Sequence, residues 1–90
     1  MRQPVEVEVF GQTLAVTSDE ETDHIRNVAI EVDRRMRETA AGTRVASSLT
    51  VAVVTALNIA SEYQKLKEEH AQLQEAIDRL NARLTAHIVG

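Results

Sequence analysis

The chain has no cysteine and no tryptophan, and only one tyrosine, one phenylalanine, one proline and three glycines. Without cysteine, neither a disulfide nor a thiolate metal site can hold it together. Two aromatics provide no row of rings for bases to stack on, and a net charge of −4 is the wrong sign for a nucleic-acid surface. Gly11, Gly42 and Gly90 stand alone, so there is no glycine-rich loop to cradle a phosphate. His24, His70 and His87 form no metal-spaced pair, and the carboxylates fall where solvation accounts for them. No catalytic constellation is left, so no enzyme and no cofactor or metal is expected. Long apolar runs are also missing. Val51–Ala60 contains Thr55 and Asn58 and is far short of the roughly 20 residues that span a bilayer. Glu6 and Glu8 interrupt any signal-peptide core. A soluble, cytoplasmic protein with no membrane partner is expected.

What the chain does have is a stripe. Steps of three and four residues from Leu49 reach Ala52, Ala56, Ile59, Tyr63, Leu66, His70, Leu73, Ile77, Leu80, Leu84 and His87, and only the two histidines are not apolar or aromatic. No Gly or Pro interrupts the stretch from Val45 to His87. A repeat of 3.5 residues marks a helix that keeps one seam against another helix. At about 1.5 Å per residue this helix would be roughly 65 Å long, more than a chain of this size can wrap in its own core. The stripe therefore asks for further copies of the chain. His70 and His87 read either as polar breaks that set register, or as groups whose protonation would loosen the assembly, since a seam imidazolium would be desolvated.

The first half reads as a small head. Val5, Val7 and Val9 alternate with Glu6, Glu8 and Phe10, and a second alternating run covers Thr13–Thr17. With Gly11-Gln12 as a two-residue loop of type II′, 4–17 is a hairpin whose valines face a core while Phe10 shares the Glu side. Ser18-Asp19-Glu20-Glu21 reads as a capping box opening a helix over 19–40. Its apolar face carries Ile25, Val28, Ala29, Val32 and Met36, with Glu31–Arg35 and Asp33–Arg37 as i,i+4 pairs. Arg34, Arg35 and Arg37 read as dipole compensation at the helix end; Arg34 and Arg37 also read as a partner-binding patch. Gly42 ends this helix, and Ser47 or Ser48 can cap the next.

From Val45 to Ala60 the long helix is apolar beyond its seam, with Val51, Val53, Val54, Leu57 and Ala60 off it. This part is expected to pack against the hairpin and the first helix while also meeting another chain. The β-branched density also suits a strand, but the seam runs through without a phase break. The expected organisation is α+β, with a head over 1–60 (start of the long helix at 46–60) and a coiled-coil tail over 61–90. The charge divides unevenly. Residues 1–43 hold nine acids against five arginines, and residues 44–90 hold five of each sign.

A valine-alternating strand ending in Phe10-Gly11, a capped helix, Thr43-Arg44-Val45, and Thr55-Ala56-Leu57-Asn58-Ile59-Ala60 ahead of a coiled coil occur in an order that resembles the bacterial cell division protein ZapA family. The match covers nearly the whole chain. The resemblance implies a non-enzymatic partner of FtsZ, the tubulin-like GTPase of the division ring. It implies a dimer formed through heads and helix starts, and a homotetramer formed by antiparallel tails. Such a protein cross-links and aligns filaments at midcell. Arg44 matches the basic residue of the family's connection and is the first partner-binding candidate. Val54 falls where the family can show an exposed apolar residue, and Gln12 where some relatives carry a basic one. Leu49 takes a place that is charged in relatives. Two alternatives stay open: a coiled-coil adaptor for another cytoplasmic protein, and a small regulator touching nucleic acid through Arg34, Arg35 and Arg37.

Overall fold

The computed structural model describes residues 3–42 and 47–89, the last by its backbone alone. Four elements follow one another: strand β1 (Gln3–Val9), strand β2 (Gln12–Ser18), helix α1 (Thr22–Ala41) and helix α2 (Ser48–Val89). The fold is α+β: a two-stranded antiparallel hairpin, a helix, and one long helix. Two compact units divide it, Met1–Ala56 and Leu57–Gly90.

The hairpin turns one residue earlier than Gly11-Gln12 would place it. Val9 pairs with Gln12, so Phe10-Gly11 is the loop. Phe10 has φ 51° and Gly11 φ 79°, and positive φ at both central residues makes a type I′ turn instead of II′. That turn matches the twist of the flanking strands, but a non-glycine residue in the left-handed region costs about 1–2 kcal/mol. The register differs by two residues from the one expected, so every strand side chain keeps its face. Val5 opposes Val16 and Val7 opposes Leu14. Phe10, expected on the Glu side, leaves the alternation because its backbone turns the corner.

Val5, Val7 and Ala29 of α1 form the buried cluster, with Val9, Val16 and Ile25 packed around it. Ile25, Ala29, Val32 and Met36 follow the 3.6-residue period and are buried or half-buried, whereas Val28 is 44% exposed. The expected capping box does not form. Ser18 is still paired with Gln3 in the sheet, so no helix can start there. Its Oγ accepts instead from the Glu20 N–H at 3.1 Å, a local turn. Glu21 takes the N-cap place with extended backbone and no side-chain cap bond.

Ser47 caps α2: its Oγ accepts from the Thr50 N–H at 3.1 Å. One turn on, Val51 and Thr55 are each only 2% exposed. The Thr55 hydroxyl donates to Thr39 Oγ1 of α1 at 3.0 Å, and Thr39 donates to the Arg35 carbonyl at 2.9 Å. A buried hydroxyl needs such a partner. Of the off-seam apolar residues expected in the core, Val51 alone is buried. Val53, Val54 and Leu57 are exposed, and so is Ala60.

Candidate functional site

An open apolar groove of about 340 Å³ lies in the first unit, lined by Val9, Phe10, Gln12, Leu14, Met36, Ser48, Leu49 and Ala52. The turn places Phe10 and Gln12 at its hairpin wall, and the first turns of α2 place Leu49 and Ala52 opposite. Gln12, a partner-binding candidate, therefore stands beside the upper end of the stripe. Val54 is 39% exposed and does not line this groove. Arg44 lies outside the described residues, with Thr43 and Val45.

The arginines of α1 do not serve its C-terminal dipole, because the helix runs on to Ala41 and its last turn holds no basic residue. They pair along the helix. Arg34 bridges Glu31 and Glu38, Arg35 approaches Glu31 at 4.0 Å, and Arg37 Nε donates to Asp33 Oδ2 at 2.9 Å. The hydrogen bond from Arg34 holds the Glu31 carboxyl below its ordinary value. Arg37 does the same for Asp33, helped by a backbone N–H. Arg34 and Arg37 are raised in turn by those hydrogen bonds. Both stay exposed and within reach of a partner, but with their charge compensated. This pairing weakens the nucleic-acid alternative, which needs uncompensated cations for phosphates.

The N–H that helps Asp33 belongs to Phe10, which donates to Asp33 Oδ1 at 2.7 Å. Arg37 is thereby tied to the hairpin corner, while Arg34 sits in a separate ion-pair cluster. Sequence reasoning missed this role of Asp33. The two residues are 23 apart, and spacing shows only the i,i+4 partner.

In the second unit every described side chain is exposed except Ile59, which is half-buried. Tyr63, Leu66, Leu73, Ile77, Leu80 and Leu84 range from 42% exposed at Ile77 to 63% at Leu66. His70 and His87 lie in the same row, also exposed. Leu49 is 74% exposed, Ala56 is exposed and Ala52 is half-buried. From Tyr63 to His87 the stripe is exposed along the single chain. Among the described residues no group of three metal-ligating side chains occurs, and no helix is long and apolar enough to cross a membrane.

Comparison with known proteins gives concordant matches. The family model described as "Cell division protein ZapA" matches residues 5–88. The chain is similar to "Cell division protein ZapA" of Bacillus anthracis, 44% identical over 75 residues that cover 83% of this chain and 84% of that one. It is 45% identical to the protein of that name from Bacillus mycoides over 73 residues, 81% and 82% of the two chains. The solved structure "ZapA mutant dimer from Geobacillus stearothermophilus" superposes with a TM-score of 0.71 at 38% identity, over 87% of this chain and 91% of that one.

Proposed function

The chain belongs to the ZapA family of cell division proteins, and on that premise we propose that it is a non-enzymatic scaffold that binds FtsZ and cross-links its filaments in the cytoplasm, at the midcell ring. The observation that carries this reading is the contrast in burial along α2. The first unit covers Val51 and Thr55, whereas the second leaves an apolar row from Tyr63 to Leu84 with nothing of its own chain against it. A row of that period is covered by other helices. Two copies joined through their heads and helix starts, and two such dimers joined through the row, make a tetramer carrying FtsZ sites at both ends. The contact row is Leu49, Ala56, Ile59, Tyr63, Leu66, His70, Leu73, Ile77, Leu80 and Leu84. Linked sites act on neighbouring filaments at raised effective concentration, so weak individual contacts suffice for bundling.

Arg44, Val54, Gln12, Arg34 and Arg37 are the head residues offered to FtsZ. Co-sedimentation with assembled FtsZ is the test. Adding the protein should increase the pelleted fraction and the bundles seen by electron microscopy. Arg44→Ala should raise the concentration for half-maximal pelleting about fivefold to tenfold, the roughly 1–1.4 kcal/mol lost on truncating a contributing interface arginine. Unchanged pelleting and unchanged bundling on addition of the intact protein would rule the reading out.

A further inference from the structure

We infer that Asp33 is a positioning residue for partner binding: its carboxylate latches the Phe10-Gly11 corner onto α1, so that Phe10 and Gln12 meet the filament partner in one fixed arrangement. This rests on the FtsZ reading above and specifies which part of the head it uses.

Three observations converge on the corner. The first is backbone strain. The first place of a type I′ turn favours asparagine or glycine, and here a bulky aromatic holds φ 51°. Such a conformation persists only where its surroundings impose it. The second is the fate of the Phe10 N–H. The ladder ends at the Val9–Gln12 pair, so a loop amide has no strand partner. At an exposed hairpin tip water would satisfy it. Instead it makes a charge-assisted bond of 2.7 Å to Asp33 Oδ1. The third is the second carboxylate oxygen, which accepts from Arg37 Nε at 2.9 Å. With both oxygens engaged, the half-buried carboxylate cannot swing away.

The latch is not what attaches the sheet to the helix. Val5 and Val7, packed with Ala29, do that farther along β1. Asp33 acts on the tip, at the Phe10 and Gln12 wall of the groove. Holding recognition residues in place beforehand reduces the ordering cost of binding. Loss of the latch should therefore weaken association while the head stays folded.

Amide exchange and FtsZ co-sedimentation test this together, on the full chain. In Asp33→Ala the Phe10 amide should exchange about tenfold faster. The solution mass and helix content should be unchanged, and half-maximal pelleting should need about fivefold more protein. Asp33→Asn keeps an acceptor oxygen for Phe10 and should restore most of both. An Asp33→Ala protein with a fast-exchanging Phe10 amide and wild-type pelleting overturns the inference and leaves the FtsZ reading standing. Failure of the wild type to pellet with FtsZ overturns both. Should Asp33→Ala not fold, Gly11→Ala strains the same corner at φ +79° with nothing within 4 Å of its new methyl. It should show the same pelleting loss, and wild-type pelleting by this variant counts against the latch.

Discussion

The two units of this chain treat apolar side chains in opposite ways. In Met1–Ala56 the apolar residues converge from four elements, and Val5, Val7, Ala29, Met36 and Val51 are buried. In Leu57–Gly90 the apolar residues are as regular but have only one helix to sit on, and none of the described side chains is buried. A hydrophobic residue lowers the free energy of a fold only when something removes it from water. The first unit supplies that cover internally; the second leaves its row exposed, which is what the proposed assembly would cover. Chemistry alone does not separate a core leucine from an interface leucine. The presence of a second element in the same chain does.

The substitution expected to act most strongly is Ile77→Glu, which places a charge in the open row of the second unit. It should convert tetramers to dimers, halving the mass in light scattering while the head retains its circular dichroism. A tetramer that survives it would mean that the row is not the joint. Val51→Ala attacks the other unit. Removing two buried methylene equivalents and leaving a cavity should destabilise the head by about 2 kcal/mol, read as a lower urea midpoint. An unmoved midpoint would mean that Val51 is not part of the folded core.

The smallest expected effect is that of acid on the first unit. Asp33 and Glu31 lie below their ordinary values of 3.8 and 4.5, each chiefly through an arginine hydrogen bond. A carboxyl lowered by folding stabilises the native state fully above its unfolded value, and that contribution is lost as pH falls through the folded value. Stability should thus hold at neutral pH and decline below about pH 4.5. Urea unfolding at pH 7 and pH 3 should show a smaller drop in Arg37→Gln, which has already lost the bond that lowers Asp33. Equal drops would mean that the pair does not bear on stability.

Periodicity made the elements legible: period two for the strands, 3.6 for α1, 3.5 for the stripe. What it could not reach had physical reasons. Gly11 suits the second place of a type I′ turn as well as the first of a II′ turn, and nothing in composition announces a phenylalanine at positive φ. The Ser18-to-Glu21 pattern has the letters of a capping box, but sheet pairing holds Ser18 outside the helix. Val51 to Ala60 reads as meeting both the head and another chain, because apolar surplus signals cover without saying which residue meets which; the head covers Val51 and leaves Val53, Val54 and Leu57 exposed. Asp33 was legible only as a helix-surface acid, since its bond to Phe10 joins positions that only the folded chain brings together. Of the candidate binding residues, the structure groups Gln12 with the groove and Arg37 with the latch, leaving Arg34 and Val54 apart.

Tyr63 sits in the open row, 60% exposed, and it is the only tyrosine in a chain without tryptophan. Near-ultraviolet absorption and emission of the molecule therefore come almost wholly from one ring, placed in the row proposed above to meet another copy. Transfer of that ring from water to a helix interface changes its absorption edge and its quenching. The chain thus carries an unlabelled optical gauge of its own assembly, undiluted by signal from the head.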